Sequence, residues 1–353
     1  MFLTRDYLYN LVTGKIKGPQ GVFLRGCLFV LSLVYGLVVV ILAGFYRMRP
    51  ARFSAKVISV GNITLGGTGK TTLVEYLSAK LSSAGNKIAV LSRGYKRDSR
   101  RPGAQGLGDE PAMLAKKLPL VPVIVDKNRI KAAQAAIRDY ALDTLILDDG
   151  LQQWKIFKDL EIVTIDAQNP FGNYRMLPAG FLREPLSALK RADIFVLTQS
   201  RSGPELGGLT AKLKRINSRA LIVESRHEPT GISRLDQPDE LLSPEFLRGK
   251  MVVIFSGIGN PDGFRNCVCG LGIKVAKFFR FPDHHDYTQA DILRIIREAK
   301  ENNLDTIITT QKDAVKVREL GIKGSAILVL EIKLSITKNE AEFNRRLLKL
   351  YSF

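Results

Sequence analysis

Residues 60–73, VGNITLGGTGKTTL, set Gly61, Gly66, Gly67 and Gly69 ahead of Lys70, Thr71 and Thr72. Glycines at this spacing let backbone N–H groups converge on phosphate oxygens at the positive end of a helix. On that reading Gly66, Gly67, Thr68, Gly69, Lys70, Thr71 and Thr72 hold a nucleotide, with Lys70 reaching the β- and γ-phosphates and the Thr71 hydroxyl facing Mg²⁺. LILDDG, residues 145–150, ends an apolar run in Asp148 and Asp149, where a phosphate-transferring enzyme holds Mg²⁺ directly or through water. Strand alternation sends the two carboxylates to opposite faces, so only one is expected to approach the metal directly; a plain strand-end turn favours Asp-Gly as well. GLGDEPAML, residues 106–114, adds Asp109 and Glu110. They suit a helix start with Asp109 as N-cap and Pro111 in the first turn, and such a start can also hold a metal and a hydroxyl.

Elements must position these residues. KVISV, KIAVLS, VPVIV, TLILDD, EIVTID and DIFVLT read as strands rich in Val, Ile and Leu, with amphipathic helices such as 71–84 and 127–140 between some of them. This alternation predicts an α/β fold, a mostly parallel sheet with helices on both faces in the manner of P-loop nucleotide-binding proteins. Ligands on such sheets bind beyond the carboxyl ends of the strands, where loop 61–70 and the 148–149 pair both fall. Strict P-loop spacing asks for glycine where the chain has Thr64. The Gly66-Gly67-x-Gly69-Lys70-Thr71 core is instead similar to an ATPase loop reading Lys-Gly-Gly-x-Gly-Lys-Thr, with Leu65 in place of its first lysine.

A net charge of +19 over 353 residues points to an anionic partner, whether nucleic acid, a phosphorylated substrate or a membrane face. No aromatic-basic recognition module accompanies that charge, so nucleic acid is not expected. Three cysteines (Cys27, Cys267 and Cys269) cannot make a disulfide framework and are read as small hydrophobes. The uncharged stretch Gly26–Tyr46 is long enough nearly to span a bilayer core, or to lie in one leaflet. Cations flank it on both sides (Lys15, Lys17 and Arg25; Arg47, Arg49, Arg52 and Lys56), which leaves orientation undetermined.

VGNITLGGTGKTTL, LSRGYKR, GDEP, LDDGLQQW, LPAGFLREP, FPDHHDY and TTQKDAVKV occur in that order. Together they resemble the tetraacyldisaccharide 4′-kinase family of lipid A biosynthesis. The resemblance implies ATP- and Mg²⁺-dependent phosphorylation of the 4′-hydroxyl of an anionic glycolipid, tetraacyldisaccharide 1-phosphate, to give lipid IVA. It also implies attachment to the cytoplasmic face of the bacterial inner membrane. It makes Asp109 with His284 the base for the sugar hydroxyl, Lys70 the catalytic cation, and Thr71, Asp148, Asp149 and Glu110 the candidate metal ligands. Arg93, Arg129, Arg183, Glu184 and Gln152 are candidates around substrate, ATP or the metal's carboxylates, Glu184 being best read as the partner of an arginine. Three departures stand out: Thr72 replaces a common proline, Gln153 a histidine and Gln311 a glutamate.

The expected organisation is a membrane-associated segment 1–50, a P-loop domain 51–220, a linker 221–249 and a smaller α/β domain 250–353. The last helix is expected to pack back on the P-loop domain. Asp109 and His284 would then face each other across a domain boundary and be assembled by closure on ATP. His227 reads as structural. The alternative is a membrane-tethered P-loop GTPase or ATPase with a switch or chaperone role, for which TQKD at 310–313 loosely mimics a guanine-reading Asn-Lys-x-Asp.

Overall fold

The computed structural model describes residues 5–93, 108–200, 204–238, 240–322 and 327–351, the side chains of Arg5, Asp6, Asp109 and Pro204 excepted. The chain begins with helices α1 (Arg5–Val12) and α2 (Pro19–Met48), followed by β1 (Lys56–Gly61), α3 (Lys70–Ser83) and β2 (Ile88–Ser92). Next come α4 (Asp109–Lys117), β3 (Val123–Val125), α5 (Arg129–Tyr140), β4 (Thr144–Asp148), β5 (Leu160–Asp166), β6 (Ile194–Thr198) and α6 (Pro204–Ile216). The remainder is β7 (Leu221–Arg234), β8 (Leu241–Leu242), β9 (Met251–Ser256), α7 (Pro261–Gly270), β10 (Lys274–Arg280), α8 (Gln289–Glu301), β11 (Ile307–Thr310), α9 (Gln311–Glu319), β12 (Ile327–Lys338) and α10 (Glu340–Leu348).

These elements form two compact units, each drawn from separate stretches of sequence. The first comprises 1–70, 128–225 and 336–353; the second comprises 71–127 and 226–335. Segment 71–127 therefore groups with the C-terminal half of the chain, not with the loop that precedes it. Asp109 and His284 belong to the same unit, so the expected domain boundary does not separate them.

In the first unit β4, β1, β5, β6 and the start of β7 pair side by side, all parallel. β4 and β6 are buried at every position, which is why they read as continuous apolar runs rather than alternating ones. One core layer gathers Phe171, Phe195, Leu189 and Leu213 beneath the 170–192 region. The C-terminal helix α10 carries Arg346, whose guanidinium donates to the Asp193 carbonyl at 2.9 Å, and Tyr351 meets Thr144 at 2.8 Å.

In the second unit β10, β9, β11 and β12 are parallel. Alternate residues of β9 feed opposite faces: Val253 and Phe255 pack with Ile292 and Ile295 of α8, whereas Val252 and Ile254 pack with Phe264 and Val268 of α7. β2 and β3 form a further parallel pair, and β7 turns antiparallel to β8.

Helix α2 has 30 residues and is about 45 Å long. Ser32, Val39 and Ala43 make a narrow buried stripe, while Val30, Leu33, Leu37, Ile41 and Phe45 are exposed. The stripe lies on the first unit. The Tyr35 hydroxyl donates to the Arg183 carbonyl at 3.1 Å, a Cβ at Gly36 would touch Met176 at 3.6 Å, and Lys155 sits 4.3 Å above the Tyr46 ring. Cys269 departs from the expected buried hydrophobe: it is exposed, as is Cys27, while Cys267 is half-buried, and none of the three is in a disulfide.

Candidate active site

The glycine-rich loop leaves β1 at Gly61, where a Cβ would meet the Leu151 backbone at 2.5 Å. Only glycine lets the loop approach the 149–151 turn so closely. The residue that departs from P-loop spacing has a structural explanation. Thr64 is buried and forms an antiparallel bridge to Leu182, flanked by Leu65 N–H to Phe181 O and Arg183 N–H to Ile63 O, both at 2.8 Å. Residues 63–65 are thus a short strand zipped to 181–183, and the turn proper starts at Gly66. Gly66 and Gly69 adopt φ of 118° and 77°, left-handed conformations that side chains resist. Asn62 is wholly buried and braces the turn from inside, donating to Thr64 O at 2.8 Å. The Thr68 hydroxyl meets that of Thr164 at 2.8 Å, and its carbonyl accepts from Thr198 at 3.1 Å. Helix α3 opens at Lys70, so Thr71 and Thr72 occupy its first turn.

Asp149 follows β4 in a left-handed conformation with φ of 58°. Its carboxylate accepts a two-pronged bond from Arg183, at 2.7 and 3.0 Å, and lies 3.7 Å from Lys70 Nζ. Burial alone would raise this carboxyl, but Lys70, Arg183 and Arg129 together hold it down to about 2. It is ionised at any physiological pH. Asp148 stays on the strand and is buried. Arg129, a candidate for substrate, ATP or the metal's carboxylates, is also buried and donates to the Asp148 carbonyl at 3.2 Å, so it supports the carboxylate turn from below. Arg183 also reaches Asn62 Oδ1 at 3.2 Å. Glu184 is 1% exposed and takes a forked pair from Arg191 at 2.8 and 2.9 Å. It accepts further bonds from Gln152 at 3.1 Å and Trp154 at 3.3 Å, and Gln152 donates in turn to Asn62 O at 3.2 Å. Gln152 and Glu184 are therefore joined in a bracket behind the loop. Sequence reading did not find Asn62 or Arg191; Asn62 had a signal in its place inside the glycine motif.

The second cluster lies in the second unit. His284 sits on the turn after β10 at φ 59°, its N–H bonded to Gly257 O at 3.0 Å. Lys312, in the first turn of α9, brings its ammonium 2.9 Å from Glu110, 3.2 Å from His284 Nε2 and 3.5 Å from Asp283. Burial pulls the Lys312 ammonium down, but Glu110 and Asp283 outweigh it and leave its pKa raised. Glu110 also stands 4.0 Å from His284 Nε2. Asp109 opens α4 one residue earlier; its side chain lies outside the described residues. Stretch 94–107, with part of LSRGYKR, lies outside them too, and Arg93 is exposed at its edge. Asp313 is buried, accepting from Gly257 N–H at 3.1 Å and from the Thr310 hydroxyl at 2.6 Å, and so secures the turn that carries His284. TQKD thus has structural partners, Lys312 at Glu110 and His284 and Asp313 at Gly257, that account for it without a guanine.

The remaining histidines do other work. His285 stacks on Phe281 at 4.6 Å and meets Asp291 at 3.1 Å, within the capping box of α8. His227 lies 3.0 Å from the hydroxyl of Thr72, the residue standing in for proline, and burial lowers its pKa to about 4. Gln311 donates to Glu331, which also accepts from Ser233 at 3.0 Å; a glutamate at 311 would set two carboxylates together.

Among the described residues no group of three or more His, Cys, Asp and Glu side chains is gathered to hold a metal alone. An ionised Asp149 beside a phosphate loop, with the Thr71 hydroxyl on the first turn of α3, fits magnesium carried mainly on phosphate oxygens.

A parallel sheet, a glycine loop opening a helix, and a lysine beside a strand-end carboxylate define a P-loop nucleotide-binding α/β protein. The family model for tetraacyldisaccharide-1-P 4′-kinase (LpxK) matches residues 24–352. A tetraacyldisaccharide 4′-kinase of Halothermothrix orenii is 38% identical over 94% of each chain, and one of Anaeromyxobacter dehalogenans 41% identical over 76% of this chain and 74% of its own. The crystal structure of LpxK from Aquifex aeolicus in complex with ATP superposes with a TM-score of 0.71 at 28% identity, covering 93% of this chain and 100% of that one. The chain belongs to the tetraacyldisaccharide 4′-kinase family.

Proposed function

We propose that this chain transfers the γ-phosphoryl group of ATP to the 4′-hydroxyl of tetraacyldisaccharide 1-phosphate, giving lipid IVA. Within the family assignment, the observation that carries this reading is Lys70 at 3.7 Å from an Asp149 that is held ionised at the mouth of the glycine loop. Phosphoryl transfer asks for charge neutralisation and in-line placement more than for covalent chemistry. Backbone N–H groups of Gly66–Thr72 cradle the phosphates, and Lys70 takes up charge that spreads over the transferred group. Thr71 and Asp149 would hold Mg²⁺ on the phosphate chain, with Asp148 behind them; bound there, the ion neutralises phosphate charge. Arg183 keeps Asp149 aimed, and the Glu184–Arg191 pair keeps the 152–154 and 183–184 segments in register.

The acceptor hydroxyl needs a base, and the reading gives that role to Asp109 with His284. A carboxylate is a weak base alone, so an imidazole that fixes its orientation raises its effectiveness. Glu110 is tied to Lys312 and serves this reading better as a holder of that lysine than as a metal ligand.

The reading places the enzyme on the cytoplasmic face of the bacterial inner membrane. Helix α2 supports it, because one stripe packs on the first unit while the rest of its surface is apolar and exposed. A helix so partnered lies in the interface, and Lys15, Lys17, Arg47, Arg49 and Arg52 at its ends suit anionic headgroups.

Labelled ATP and tetraacyldisaccharide 1-phosphate in detergent micelles, with wild type and Lys70→Ala side by side, test the assignment. Label is expected in the lipid with wild type only. Absence of transfer by wild type would overturn the reading.

A further inference from the structure

We infer that Lys312 is a positioning residue that fixes the His284 ring in the tautomer with hydrogen on Nδ1. The inference rests on the proposed role of His284 in the kinase reaction, and its observations are geometric. The Lys312 ammonium lies 3.2 Å from His284 Nε2 and 2.9 Å from Glu110, with Asp283 at 3.5 Å. An ammonium has three hydrogens to donate and no lone pair to accept. The ring atom facing it must therefore present its own lone pair, and a neutral imidazole then carries its hydrogen on the other nitrogen. Neither partner is free to drift. The His284 backbone is pinned to Gly257 O at 3.0 Å, and Lys312 leaves the first turn of α9 beside Asp313, which holds the Gly257 N–H at 3.1 Å.

The consequence is chemical. With Nε2 occupied by Lys312, the hydrogen the ring has to offer is on Nδ1, and in the proposed reaction that N–H is the donor that orients the base. It accepts a proton only by displacing Lys312. His284 therefore holds the base in place rather than serving as the first stop for its proton. Glu110 and Asp283 have their own part, since they keep the lysine aimed at the ring.

The chain has only three histidines, so ¹⁵N spectra of histidine-labelled full-length protein in micelles are assignable with a His284→Gln control. Wild type is expected to show His284 with Nδ1 protonated and Nε2 bare, and Lys312→Met to move the hydrogen to Nε2. In the kinase assay Lys312→Met should lower kcat about tenfold to a hundredfold, part of what acid–base groups usually contribute, with KM for ATP changed less than about twofold. Lys312→Arg should recover part of the loss. In a His284→Ala background the same Lys312→Met change should cost less than about twofold, because its route of action is gone. Hydrogen on Nε2 in wild type, an unaltered tautomer in Lys312→Met, or an undiminished loss in the His284→Ala background would overturn the inference. The wild-type spectrum needs neither turnover nor a folded variant. Failure of the kinase reading and failure of this one are thus told apart.

Discussion

The glycine loop with Asp149 and the turn with His284 are built on opposite plans. The first is built from backbone: a run of eight residues between β1 and α3 bends through the left-handed Gly66 and Gly69, and side chains mainly brace it. The second makes its surface from side chains delivered by three stretches far apart in sequence, at Glu110, Asp283–His284 and Lys312. A backbone device tolerates change at its margins, as Thr64 demonstrates by pairing with Leu182 where glycine is customary. A side-chain device tolerates little, because each member is held by the others. Both nonetheless rest on a buried carboxylate, Glu184 behind the loop and Asp313 behind the turn.

The largest effect should come from the one side chain that the backbone device cannot replace. Lys70→Ala is expected to reduce phosphoryl transfer by about 10²–10³-fold, the usual cost of removing a preorganised charge partner, with folding intact by circular dichroism. A loss below tenfold would break the contrast, since the loop would then work by amides alone.

The two buried carboxylates come next. Glu184→Ala strands the Arg191 guanidinium, and Asp313→Ala strands the Gly257 N–H and the Thr310 hydroxyl. Urea unfolding should register losses of about 3 kcal/mol for the first and about 2 kcal/mol for the second. Near-zero change in either would mean that its site is not held as described.

Acid should reach the first site through Asp149. Its folded pKa of about 2 lies below the ordinary 3.8, so its contribution to stability is present above about pH 4 and is lost as pH falls from there to about 2. A third of the side chain is exposed, and screening trims the contribution to about 1–2 kcal/mol. Asp149→Asn should lose that amount at pH 7, and the gap from wild type should narrow on acidification. A gap independent of pH would show that the carboxylate charge is not what Arg183 and Lys70 hold.

The smallest effect sharpens the tolerance argument. Thr64→Gly restores customary spacing, yet it should lower stability by about 0.5–1 kcal/mol and leave KM for ATP within twofold. An improved KM would mean that Thr64 is a compromise and not part of a strand.

The outcome for sequence reading follows the same division. The parallel α/β character, the loop, and the carboxylates ending β4 were legible because each is a local pattern: apolar runs set strands, and glycine spacing sets a turn. Whether Arg129 would face substrate, ATP or the carboxylates was not legible, because a type and a motif do not say which way a side chain points. It turned inward to the Asp148 carbonyl. That Asp109 and His284 fall in one unit was hidden for a related reason. Alternating strands and helices do not reveal that 71–127 folds with 226–335. Lys312 was visible only as part of TTQKDAVKV, where its neighbours in sequence gave no hint of Glu110.

By itself the sequence determined the chemistry on offer: a phosphate cradle at Gly66–Thr72, carboxylates at 148–149, an apolar helix at the start, and a membership written in ordered motifs. Those depend on backbone conformation and on apolar periodicity, which neighbours along the chain decide. Tertiary structure alone decided which charges meet: Asp149 with Arg183 and Lys70, Glu184 with Arg191, Lys312 with His284 and Glu110. The physical reason is range. Hydrogen bonds and ion pairs act over a few ångströms of space, and only the fold brings residues as far apart in sequence as Glu110 and Lys312 to that distance.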